Sequence, residues 1–269
     1  MRAVQIGPMM GLTSQLALLS GLAGTVGLGA AGWLVGIACG LTTTAILSVG
    51  LTRSGAAALG AANRVTLTRA VLVGGVAALV ADGLLGPANV APLVLLAVVA
   101  LILDAVDGWV ARHTGTVSAL GARFDMEVDA FLILVLSVYV AQSVCPWVLA
   151  IGAARYLAWA AGRVVPWMRV TVPKRYWRKP VAAIQGIVLT ATVAQLLPAP
   201  VMIAAIAGAL ALLTESFGRD VVWQWQQRRT SDLSAWVVAM ATTHADKWGR
   251  GAGVGPTTVE ICAQMREER

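Results

Sequence analysis

Long apolar runs separated by short polar breaks fill most of this chain. Eight runs approach the length of a membrane crossing: residues 9–28, 31–51, 66–83, 91–110, 126–144, 146–166, 180–197 and 199–217. A spanning helix needs roughly 20 mostly apolar residues, since each adds about 1.5 Å against a hydrocarbon layer of about 30 Å. Gly and Ala are frequent inside the runs, which suits close approach of helix backbones. The pattern predicts an all-α fold, a polytopic membrane helical bundle.

Polar breaks between the runs set the orientation. The connections at 29–30, 84–90, 145 and 198 hold no Lys or Arg. Arg2, Arg53, Arg64, Arg69, Arg112, Arg123, Arg163, Arg169, Lys174, Arg175, Arg178, Lys179, Arg219, Arg228 and Arg229 fall to the other side. Cytoplasmic loops carry the excess of cations, so the asymmetry predicts both termini in the cytoplasm of a multi-pass cell-membrane protein. Trp109, Trp147, Trp167, Trp177, Trp223 and Trp225 stand near run ends, where indole rings prefer the interface.

Composition agrees. The chain is 58% apolar and 12% charged, against about 25% charge in ordinary soluble domains. The net charge of +7 reads as a topology signal. Its cations are spread over loops, which argues against a nucleic-acid partner. Cys39, Cys145 and Cys262 are odd in number and far apart, so no disulfide framework is visible.

Three parts follow. Residues 1–60 form an N-terminal transmembrane hairpin with few polar groups, residues 61–217 hold six spans, and residues 218–269 form a polar cytoplasmic tail. The opening run imitates a signal peptide, but a second run follows without a convincing cleavage site, so it reads as an uncleaved anchor. Within the tail, Leu233, Trp236, Val237 and Met240 share one face and predict an interfacial helix over Asp232 to Ala241. Gly249 to Pro256 reads as a turn, and His244 with Asp246 as solvated tail residues.

The chemistry concentrates between Asp104 and Asp129. Asp104, Asp107, Gly108 and Ala111 share a helical face at the end of the fourth run, with Arg112 beside them. Gly121, Asp125 and Asp129 share a face at the start of the fifth. The short loop between predicts antiparallel neighbours whose acidic faces meet. A mid-bilayer carboxylate costs about 3 kcal/mol on insertion scales. Several acids brought together either stay protonated or bind cations. Oxygen ligands favour Mg²⁺ or Mn²⁺, commonly shared with substrate phosphates. Glycines at the mouth let a bulky ligand approach the backbone, and Arg112 suits a phosphate.

These residues spell Asp-x2-Asp-Gly-x2-Ala-Arg-x8-Gly-x3-Asp-x3-Asp, and the segment resembles the signature of the CDP-alcohol phosphatidyltransferases at every fixed position. The resemblance implies a six-helix catalytic core over about residues 61–217, commonly in a homodimer, with the two N-terminal transmembrane helices and the tail outside it. It implies transfer of a phosphatidyl group from a CDP-alcohol such as CDP-diacylglycerol to an acceptor hydroxyl, with release of CMP, in phospholipid biosynthesis. Asp104, Asp107 and Asp125 would ligate two divalent ions. Asp129 would complete the second metal site and act as general base. Gly108, Ala111, Arg112 and Gly121 would line the CDP pocket. Asn63-x2-Thr66-x2-Arg69 looks like the start of the family's first core helix, with Thr66 at the nucleotide, though capping by Asn63 or Thr66 and a topogenic Arg69 explain it equally.

Arg155 with Arg163, and Lys179 with Gln185, resemble acceptor-binding pairs of the phosphatidylglycerophosphate synthase branch, which points to glycerol 3-phosphate. Tyr156 and Ala182 depart from that branch, where an acidic residue and a threonine are usual, so inositol phosphate and phosphatidylglycerol remain alternative acceptors. Two other classes use acids in membranes. Prenyltransferases place their two motifs in separate halves of a bundle, whereas both lie in one hairpin here. A cation transporter calls for deeper acids and interrupted helices in paired halves.

Overall fold

A computed structural model describes residues 6–54, 61–114, 119–165 and 178–248, with side chains described over 9–53, 64–106, 121–165 and 180–228. Among the described residues the structure is all helical: α1 (Ile6–Val26), α2 (Ala30–Ser54), α3 (Ala61–Gly83), α4 (Val90–Thr114), α5 (Ala119–Ser143), α6 (Leu149–Val164), α7 (Arg178–Val193) and α8 (Ala199–Trp248), with a 3-10 turn at Pro146–Val148 before α6. The expected all-α membrane bundle is what forms.

Four helices are long and apolar enough to cross a membrane: Met9–Val26, Ala30–Arg53, Arg64–Gly83 and Ala199–Arg228. Shorter apolar stretches lie at Val90–Val106 and Pro180–Val193. Helix α4 runs to Thr114 while its described side chains end at Val106, and α5 carries acids at 125, 127 and 129 near its start. Helices α6 and α7 have 16 residues each, about 24 Å at 1.5 Å per residue. Helix α7 stops at Val193 instead of 197 because Gln195 takes a left-handed φ of 51°. Leu196 N–H then donates to Ala191 O at 3.2 Å and Gln195 N–H to Thr192 O at 3.0 Å, a Schellman closure.

Two compact units divide the chain: residues 1–164 with 173–218, and residues 165–172 with 219–269. The first is built around α3, which packs against α1, α2, α4 and α5. Its apolar window is 56% buried, against 22% for α1 and α2, so α3 is the central helix. Val73, Val76, Ala77 and Val80 meet Leu19, Leu22, Leu47 and Leu51 from the hairpin, Leu93 and Ala97 from α4, and Leu132 and Leu136 from α5. Lipid tails are as apolar as leucine, so this packing rests on close fit. A Cβ at Gly36 would collide with Leu19, and one at Gly32 would lie 3.0 Å from Ala78 O.

Polar ties fix the ends. Asp82 at the end of α3 accepts the Gly29 N–H at 3.0 Å, and Asn89 donates to Val26 O at 3.3 Å. Both satisfy orphan backbone groups at the tight α1–α2 turn, where Gly27 adopts φ 76°. In the second unit α8 runs on to Trp248, so Asp232 to Ala241 is helical, while Gly249 to Pro256 lies outside the described residues.

Candidate active site

The site is assembled on α3. Thr66 and Arg69 stand one turn apart on that helix, and both are buried. Arg69 lies five residues inside the span Arg64–Gly83, and its side chain is 1% exposed. A cation there needs partners, because neither water nor lipid can solvate it. Its partners come from two other helices. One guanidinium nitrogen pairs with Asp104 of α4 at 3.0 Å and also with Asp125 of α5. The other terminal nitrogen pairs with Asp129 of α5. Nε donates to the backbone carbonyl of Ala100 on α4 at 3.3 Å, which fixes the plane of the fork.

Asp104, Asp125 and Asp129 are therefore gathered. One carboxylate oxygen from each lies within 4.8 Å of the others. The signature spacing explains the α5 half, since residues four apart stack on one helical face. The α4 half follows the same register: 104, 107, 108 and 111 stand on one face of a continuous helix. The side chains of Asp107, Gly108, Ala111 and Arg112 lie outside the described residues, and so does the 115–118 connection. Gly121 stands in the first turn of α5, one turn before Asp125.

The sequence predicted that α4 and α5 would meet directly. Among the described residues they make little contact, and each packs instead against α3. The acids meet through Arg69. Sequence reasoning counted that arginine among the cations at the water face and in the Asn63-x2-Thr66-x2-Arg69 pattern, without giving it the acids as partners. The signal that distinguishes it is its depth, about one and a half turns into an apolar run.

The donor set fits a divalent cation. All three ligands are hard carboxylate oxygens, which Mg²⁺ and Mn²⁺ prefer. Oxygens trans across one Mg²⁺ stand about 4.2 Å apart, so a spread within 4.8 Å needs only a small closure.

The four residues expected at the acceptor have different surroundings. Arg155 on α6 pairs with Glu127 of α5 at 2.5 Å, and both are partly exposed. Glu127 was not singled out in the sequence, although it stands between Asp125 and Asp129. Arg163 stacks on the Trp159 ring at 4.5 Å to its centroid. Gln185 is 1% exposed and donates to Ala209 O of α8 at 2.7 Å, so it ties α7 to α8. The Lys179 side chain lies outside the described residues.

The family model described as CDP-alcohol phosphatidyltransferase matches residues 59–215, more than half of the chain. The chain belongs to the CDP-alcohol phosphatidyltransferase family. It is a membrane enzyme that transfers substituted phosphate groups, taking a phosphatidyl-type group from a CDP-alcohol with the help of divalent metal. The match covers α3 to α7 and the first part of α8, and so contains every member of the acid cluster. No curated protein and no solved structure matches the chain.

Proposed function

We propose that this enzyme transfers a phosphatidyl group from CDP-diacylglycerol to glycerol 3-phosphate in phospholipid biosynthesis, in the manner of the phosphatidylglycerophosphate synthase branch. The observation that carries the reaction is the convergence of Asp104, Asp125 and Asp129 on one point of α3 within the family match. The acceptor reading rests on basic residues near it. Arg155 lies against α5 through Glu127, between two of the cluster acids, and Arg163 and Lys179 bracket a strongly basic stretch. A phosphorylated acceptor suits that charge, and the competing acceptors are inositol phosphate and phosphatidylglycerol.

In this reading residues 61–217 are the catalytic core, residues 1–60 a hairpin packed on it and residues 218–269 a cytoplasmic tail. The site opens to the cytoplasmic face, where the cation asymmetry puts both termini, and the enzyme works as a homodimer. Asp104, Asp107, Asp125 and Asp129 hold two ions, Mg²⁺ or Mn²⁺. Bound there, they offset negative charge on the phosphates of the donor. Gly108, Ala111 and Gly121 leave room for the cytidine diphosphate, Arg112 neutralises a phosphate and Thr66 stands at the nucleotide end.

Asp129 takes the proton from the acceptor hydroxyl. The acceptor oxygen then forms a bond to the phosphorus that carries the diacylglycerol. The anhydride bond to the cytidine phosphate breaks, and CMP leaves with its electrons. Positioning and charge stabilisation carry such a transfer, with no covalent enzyme intermediate. The test is CMP release by purified protein with CDP-diacylglycerol, Mg²⁺ or Mn²⁺, and glycerol 3-phosphate, inositol 1-phosphate, inositol, serine or phosphatidylglycerol in turn. Release with glycerol 3-phosphate, lost on adding EDTA, is expected. Release with another acceptor alone would overturn the acceptor and keep the reaction.

A further inference from the structure

We propose that Arg69 is a positioning residue of this site: the fixed counter-ion that gathers Asp104 from α4 and Asp125 and Asp129 from α5 onto α3, and holds them in register to receive divalent cations. For its place in catalysis the inference rests on the reaction proposed above; its charge test does not.

Four observations lead to it. Among the described residues α4 and α5 make little direct contact and each packs on α3, so their own packing there does not hold the acids together. Like charges within 4.8 Å of one another repel unless something offsets them, and the Arg69 guanidinium contacts all three. The group is anchored: its side chain is 1% exposed and its Nε is held by Ala100 O. A topogenic arginine would reach for water instead. Finally, Arg69 engages one oxygen of each carboxylate. A carboxylate has two, so this contact is compatible with donation to an ion. The planar fork addresses three acceptors in fixed directions, and a lysine in its place would keep the offsetting charge while losing that geometry.

The test is the thermal melt of the purified full chain in detergent with EDTA, for Arg69→Gln, Arg69→Lys, Asp129→Asn and Arg69→Gln/Asp129→Asn. Leaving three partly buried carboxylates without their counter-ion predicts a fall of about 5 °C or more for Arg69→Gln. Removing one acid as well should recover at least half of that fall, and millimolar Mn²⁺ should raise the Arg69→Gln melt more than the wild-type melt. A residue that merely fills space would show neither rescue. A wild-type melt for Arg69→Gln, or losses that simply add in the double variant, would overturn the inference. Should Arg69→Gln not fold, Arg69→Lys and the double variant decide. Recovery of either supports a counter-ion, and equal loss of both rejects it. A wild-type protein indifferent to Mn²⁺ would reject the metal-site reading while the charge rescue is still read in EDTA, so the two fail separately.

Discussion

At the scale of single residues, the acids behave as a set and should be separable by role. Asp129→Asn removes the proposed base and keeps the shape. Turnover should fall by about 100-fold or more, while metal-dependent binding of the CDP-lipid persists in part, as measured by CMP release and by retention of labelled lipid. Wild-type-like turnover would remove Asp129 from its role. A second prediction concerns stability alone. Gln195 holds φ 51° at the end of α7, in the left-handed region that costs a residue with a Cβ about 1 kcal/mol. Gln195→Gly should raise the melting temperature by a few degrees and leave CMP release unchanged. What the sequence made legible here follows from contrast. Carboxylates at fixed spacing inside apolar runs have no bland explanation. Arg69 and Gln185 were harder to read. A lone arginine near the start of a span has the same letter whether it faces water or a buried cluster. A glutamine in an apolar run reads equally as a ligand contact or as a tie between helices, and the structure gives the second through Ala209 O.

At the scale of elements, the apolar runs located the eight helices, but not the start of α5 at Ala119 or the reach of α8 to Trp248, and not the partners. A short α4–α5 connection suggests neighbours in space. Yet α3 packs on both, because its small residues let backbones approach and its arginine answers the acids. Such a choice among helices depends on shape over a whole face, which periodicity does not encode. The α5–α6 contact shows how tight these faces are. A Cβ at Gly152 would lie 2.7 Å from the Leu134 Cα, part of the backbone itself, and 3.0 Å from Ser137. Gly152→Ala must therefore part the two helices, at a cost of about 1–3 kcal/mol. Arg155 sits three residues further along α6, so the Glu127 pairing should loosen and activity should fall with stability. Among the described residues, nothing lies within 4 Å of the Cβ position of Gly208 in α8. Gly208→Ala should be neutral or slightly stabilising, since alanine is the better helix former by about 1 kcal/mol. Melts of the two variants side by side check the contrast, and equal effects would contradict the packing described for α5 and α6.

At the scale of the whole molecule, the hairpin that precedes the family core is packed into it. The match begins at residue 59, so α1 and α2 lie outside it. They nevertheless bury Leu19, Leu22, Leu47 and Leu51 in the core cluster that contains α3. Gln15 of α1 is 1% exposed and lies against Gly74 of α3, where a Cβ would stand 2.7 Å from its side-chain oxygen. That polar group would face hydrocarbon if the hairpin left, at a cost that lipid contact does not offset. Helix α3 also carries Thr66 and Arg69, so anything that lets it tilt moves the residue holding the acids. The hairpin is therefore predicted to act as a brace on the helix that carries Thr66 and Arg69. Removing residues 1–54 should lower the melting temperature by several degrees. It should also cut CMP release more than the lost stability alone accounts for at a temperature where the shortened protein remains folded. Full activity in a shortened protein that melts like the parent would make α1 and α2 an appended module, with α3 held in place by α4 and α5 alone.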